Sequence, residues 1–181
     1  MRLRRLAALM VVCAAFFFGA GTAASATDPV TLGTGRVLDQ AGALDSSQLT
    51  TAESQLASLY DATGVDLYVV FVPTFTNPTD RQEWANDVAT DNGLGSTQYL
   101  MAVATQSRQF TTSADDAGPL EMSQIDKVEA AVKPQLSAGD YAGAISVAAV
   151  QIKAALTGSS AAGVNAFSPS HSEKAARARS V

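Results

Sequence analysis

The side chains in this sequence that could do chemistry are carboxylates. Asp39, Asp66, Asp87, Asp91, Asp115 and Asp116 fall in loops or near the ends of predicted strands and helices. Hard cations such as calcium and magnesium need several oxygen ligands converging from such places. Asp39, Asp87 and Asp91 would make a shallow site for either ion if the fold brought them together. Each also has an ordinary explanation: Asp39 holding a turn, Asp87 on a solvated helix face, Asp91 as helix-end polarity. No stretch has the ligand spacing of a dedicated calcium loop. Asp115-Asp116 is the one adjacent acidic pair. It can share a cation, or it can be a polar loop of the kind Asp favours. Asp66 begins an otherwise apolar run, where a carboxylate needs a partner or contact with solvent.

What is missing excludes more chemistry than these acids suggest. The single cysteine is Cys13, inside the amino-terminal apolar run, so thiol nucleophiles, disulfides and cysteine-bound metals are not expected beyond it. The single histidine, His171, lies in a Ser-rich stretch, which offers no scaffold for a Ser-His-Asp triad or a histidine zinc site. Arg108 has the charge to hold a phosphate, but one Arg at the start of a strand is a sparse set of donors. Asn92-Gly93-Leu94-Gly95 follows a helix rather than opening one, so it is no phosphate-binding loop.

The elements that would position these residues are legible from periodicity. Residues 27–34 read as an extended lead-in and Arg36-Val37-Leu38-Asp39 as a short strand. A helix capped by Asp45 or Ser46 follows, with Leu49, Ala52, Leu56, Leu59 and Tyr60 recurring at helical spacing and Gly64 as its stop. Val65 to Val72 is nearly continuous in hydrophobicity, as a strand buried on both faces should be, and Pro73 closes it. A second helix starts at a Thr79-Asp80-Arg81-Gln82 capping box, buries Trp84, Ala85, Val88 and Ala89, and ends in a flexible Asn92–Gly95 loop. Gln98–Ala104 and Arg108–Ser113 suit a hairpin. A third helix runs from Ser123 to a stop at Pro134, and a fourth from an Asp140 cap to Leu156. This order predicts an α/β fold: a three-layer αβα sandwich with a mixed β-sheet containing a hairpin.

The ends indicate export. Arg2, Arg4 and Arg5 precede the apolar run Leu6–Phe18, and Ala24-Ser25-Ala26 is a small-x-small cleavage site. Residues 1–26 are thus expected to be a signal peptide, 35–157 the globular domain and 158–181 a disordered polar tail. The mature protein is expected to work outside the cytoplasm, with no membrane span of its own. The chain holds 12 Lys+Arg and 17 Asp+Glu. The first 26 residues take three Arg and no acid, leaving 9 against 17, a net charge of −8. Such a surface repels nucleic acid and attracts cations and basic partners.

Val37-Leu38-Asp39-Gln40-Ala41-Gly42-Ala43-Leu44, followed by Thr63-Gly64-Val65-Asp66-Leu67-Tyr68-Val69-Val70, resembles the start of the TPM domain family. Trp84-Ala85-Asn86-Asp87, Asn92-Gly93-Leu94-Gly95, Tyr99–Ala104, Arg108-Gln109 and Gly139-Asp140-Tyr141-Ala142-Gly143-Ala144 continue the match in order. The resemblance covers residues 35–156 and is nearest to exported or membrane-anchored actinobacterial members. It implies an αβα sandwich. For function it implies acid phosphatase activity, calcium binding, or service as an accessory factor for membrane complexes. Two stretches differ from the family pattern near its acidic pocket: Ser96-Thr97-Gln98, and Thr112 to Gly118.

Two functions follow. One is a non-catalytic, monomeric accessory module of the cell envelope that binds a cation or an envelope or membrane protein, without an organic cofactor. The metal candidates are Asp39, Asp87, Asp91, Asp115 and Asp116, for calcium or magnesium. The other is a metal-dependent acid phosphatase, which requires several Asp to converge in one pocket near Arg108.

Overall fold

The computed structural model describes residues 26–158. Expectations about the leader, Cys13, His171 and residues 159–181 lie outside the described residues. In chain order the elements are β1 (Ala26–Thr27), β2 (Val37–Asp39), α1 (Ser46–Thr63), β3 (Asp66–Val72), β4 (Thr74–Phe75), α2 (Arg81–Asp91), β5 (Gln98–Ala104), β6 (Gln109–Ser113), α3 (Met122–Ala138) and α4 (Tyr141–Thr157).

The two most apolar strands, β3 and β5, lie side by side at the centre. They pair in parallel from Asp66 opposite Gln98 to Val72 opposite Ala104. Strand β2 extends the sheet in parallel beside β3, and β6 closes the other side antiparallel to β5 as the predicted hairpin. Alternate residues feed two cores, because successive side chains leave a strand on opposite faces. Leu67, Val69, Phe71, Tyr99, Met101 and Val103 meet α1, α3 and α4 on one face. Val70, Val72, Leu100, Ala102 and Ala104 meet Trp84, Ala85 and Val88 of α2 on the other. The result is the expected αβα sandwich with a mixed sheet, three helices on one face and one on the other.

Three local details correct the sequence reading. The second helix is capped by Asp80, not Thr79: its carboxylate accepts from the Gln82 and Glu83 N–H groups at 2.8 and 3.0 Å. The third helix begins at Met122 and runs through Pro134 to Ala138. Proline removes one intrahelical bond. Val132 and Leu136, flanking it, pack into the core and hold the next turn helical until Gly139 ends it at φ 76°. Asn92 does not open a flexible loop. Its side chain accepts from Leu32 N–H at 2.8 Å and donates to Val30 C=O at 2.9 Å, tying the lead-in across the α2 face. Trp84 Nε1 donates to Thr27 C=O, and Asp28 accepts from Thr76 and Asn77, so the lead-in is fastened along much of its length.

Both edges of the main sheet are blunted by a glutamate. Glu53 of α1 accepts from Arg36 and Val37 N–H at 3.0 and 2.9 Å beside β2. Glu129 of α3 accepts from Thr112 N–H at 2.7 Å on β6. Outward N–H groups on an edge strand are a template for pairing with another chain, and a carboxylate occupies them.

Candidate functional site

Parallel strands give a sheet two chemically different ends. Asp39 ends β2 opposite Phe71, at the carboxyl-terminal end of β3. Asp115 and Asp116 follow β6, whose last residue Ser113 lies opposite Leu100 near the start of β5. Between Asp66 and Phe71 the strand rises about 16 Å, at ~3.3 Å per residue. Asp39 and the Asp115-Asp116 pair therefore stand at opposite ends of the sheet and cannot share an ion.

Asp39 is already occupied. One carboxylate oxygen accepts from Ala41 and Ala43 N–H at 3.1 and 3.0 Å, and the other accepts from Leu44 N–H at 2.9 Å. These bonds fold the Asp-Gln-Ala-Gly turn, in which Gly42 takes φ 64°, a left-handed angle that costs glycine nothing. Asp66 has its partner too: Arg36 Nε donates to it at 2.6 Å, with the guanidinium 5.5 Å from the Tyr60 ring centroid. That hydrogen bond to Asp66 raises the Arg36 pKa further, so the guanidinium keeps its charge.

The remaining acids lie near the other end. Asp87 and Asp91 sit exposed on α2. Asp115 and Asp116 line a groove of about 600 Å³ between α2, β6 and the loop after β6, together with Gln82, Asn86, Gln98 and Ser113. Asp115 shapes its own loop by accepting from Ala117 N–H at 2.8 Å. A polar ladder forms the wall: Thr111 donates to Gln82 Oε1 at 2.5 Å, and Ser113 and Gln82 both donate to Asn86 Oδ1, at 2.8 and 3.1 Å. Beside it, Gly118 packs so closely that a Cβ there would stand 2.6 Å from Ser96 C=O and 2.8 Å from the Tyr99 hydroxyl. Buried Tyr99 accepts from Leu120 N–H at 3.1 Å, and burial raises its pKa above the usual phenol value. Among the described residues no three His, Cys, Asp or Glu side chains are grouped to hold a metal ion.

Sequence reasoning placed Asp115-Asp116 in a loop but had no signal for Gln82, Asn86 or Ser113. These belong to a helix and a strand 27 or more residues apart, joined only by packing. Arg108 lines a different cavity, at the opposite end of the sheet, and no carboxylate lines it. Clustered acids beside Arg108, which the phosphatase reading requires, are not found there.

Residues 37–155 match the TPM domain model. The chain is 33% identical over 151 residues to the UPF0603 protein Rv2345 of Mycobacterium tuberculosis strain H37Rv, and equally to MT2410 of strain CDC 1551. That alignment covers 82% of this chain but 23% of the relative, so the chain spans about a quarter of the relatives' length. Among solved structures, the N-terminal domain of cg2496 from Corynebacterium glutamicum superposes with a TM-score of 0.60 at 23% identity, covering 74% of this chain and 92% of that one. The BA42 protein of Bizionia argentinensis gives a TM-score of 0.56 at 16% identity, covering 64% and 83%. At these identities the two structures share the fold.

Proposed function

The chain belongs to the TPM domain family, and on that premise we propose that it is an exported, non-catalytic accessory domain of the cell envelope whose acidic groove binds cations or a basic segment of a partner protein. What supports this reading is the groove between α2 and β6. It gathers Asp115 and Asp116 with amide and hydroxyl side chains and contains no histidine, cysteine or lysine. Such a lining offers oxygen ligands and hydrogen bonds, but no nucleophile activated by a neighbouring base. Residues 26–158 carry 6 Lys+Arg against 16 Asp+Glu, so the field of the domain favours cationic ligands at this surface. No helix of the described residues is long and apolar enough to cross a membrane. Export rests on the amino-terminal leader pattern.

The test is calorimetry on the full chain with calcium, magnesium and a short Lys/Arg-rich peptide, beside a phosphate-ester assay on the same sample. Saturable binding of an ion or the peptide is expected, weakened about tenfold by Asp115→Asn with Asp116→Asn, in keeping with the loss of charge-assisted contacts. The reading fails if no cation or peptide binds at millimolar concentration. It fails equally if the chain hydrolyses the ester and the double variant loses that activity.

A further inference from the structure

The cavity at the other end of the sheet has the opposite charge. It encloses about 300 Å³ where β5 and β6 part from the α3–α4 turn, and Arg108 and Lys133 line it. Six cations lie between residues 26 and 158, and two of them meet here. Neither makes a hydrogen bond or an ion pair among the described residues, and no acid lines the cavity. The nearest acid in sequence, Asp140, caps α4 by accepting from Gly143 N–H at 2.8 Å.

The backbone at Arg108 is also unusual. It takes φ 54°, a left-handed angle that glycine would adopt without steric cost. An arginine there is held at the tip of the β5–β6 hairpin, at the cavity mouth. Phe110, Leu136 and Val103 supply apolar wall. Tyr141, edge-on to Phe71 at 5.5 Å between centroids, adds a ring whose hydroxyl has no hydrogen-bond partner among the described residues. Open α/β sheets commonly receive ligands outside the carboxyl ends of their parallel strands, and the cavity lies there.

We propose that this cavity binds a small organic monoanion, with a carboxylate between Arg108 and Lys133 and an apolar body against Phe110, Leu136 and Tyr141. A guanidinium and an ammonium suffice for one carboxylate. The surrounding domain, with ten more acids than bases, disfavours a dianion such as a phosphate monoester. The same chemistry is offered by a free arylalkyl acid or by the carboxyl terminus of a peptide ending in an aromatic residue. This site is independent of the acidic groove, since the length of β5, about 20 Å at ~3.3 Å per residue, separates them.

The test is an NMR titration of the full chain at low ionic strength with N-acetylphenylalanine. N-acetylphenylalaninamide removes the charge, acetate removes the apolar body, and phenyl phosphate doubles the charge. Saturable shifts at Phe110, Leu136 and Tyr141 are expected with N-acetylphenylalanine and not with the amide or acetate. Arg108→Gln and Lys133→Gln should each weaken binding about tenfold, the usual size of a lost charge-assisted contact. Their thermal midpoints should be unchanged, because both residues are exposed. Tighter binding of a tripeptide ending in phenylalanine than of hydrocinnamate would identify a peptide terminus as the source, and the reverse a free acid. Equal binding of the acid and the amide, unchanged affinity in both variants, or no binding of any probe would overturn the proposal. Tighter binding of phenyl phosphate would overturn the monoanion assignment.

Discussion

Replacing Asp39 separates a structural carboxylate from a metal ligand. Its two oxygens accept from three backbone N–H groups, at 3.1, 3.0 and 2.9 Å, and the side chain is half-buried at the end of β2. A hydrogen bond to a charged group contributes about 1.5–3 kcal/mol, and partial exposure favours the low end because water replaces some of what is lost. Asp39→Asn keeps the oxygen that serves Ala41 and Ala43 but turns an NH₂ toward Leu44 N–H, losing one bond and adding a donor–donor clash. The expected cost is about 2 kcal/mol, and about 3 kcal/mol for Asp39→Ala. In a folded unit of this size those costs lower the thermal midpoint by roughly 6 and 10 °C. Asp87→Asn and Asp91→Asn, both on exposed helix surface, should stay within about 0.5 kcal/mol of the parent. The assay is thermal and urea unfolding with and without millimolar calcium, since a ligand that binds only the folded state raises its midpoint. If Asp39→Asn costs nothing in the absence of calcium, yet abolishes a calcium-dependent rise seen in the parent, Asp39 is a ligand and the argument is refuted.

Three further outcomes follow from the structure. Tyr99→Phe should cost about 1–2 kcal/mol at neutral pH, because Leu120 N–H loses its acceptor in a buried site. The raised Tyr99 pKa gives a stability contribution that is complete below about pH 10 and is lost at higher pH, as the unfolded chain ionises before the folded one. The phenylalanine variant should lose that part of the alkaline slope in urea titrations across this range. Glu129→Ala should expose the Thr112 N–H on the β6 edge and raise the rate of aggregation in light scattering, while Glu129→Gln, which keeps an acceptor, should not. Gly118→Ala should destabilise by at least about 2 kcal/mol in chemical unfolding, since its Cβ would meet two backbone carbonyls and the Tyr99 hydroxyl inside 3 Å.

The sequence alone carried the architecture, for a physical reason: each element has to bury a face, and the period of that face is written locally. The apolar run 65–72, the helical spacing of Leu56 and Leu59, and the caps at Asp45, Gly64 and Asp140 all sit where the periodicity put them. The cap of α2 turns on which of two adjacent side chains reaches the free N–H groups, and the end of α3 on tertiary packing. Asp80 outcompetes Thr79 by reaching two N–H groups, and the core contacts of Val132 and Leu136 hold the helix past Pro134. The candidate site was less legible. The acids could be enumerated, but which end of the sheet each occupies follows from strand direction and register, and these arise between segments rather than within them. Only the folded structure decided that Asp39 serves its own turn, that Asp66 pairs with Arg36, and that Asp115-Asp116 lines one groove with Asn86 and Gln82. The same holds for Arg108 and Lys133. They lie on a hairpin tip and a helix 25 positions apart, and packing alone brings their charges to one cavity.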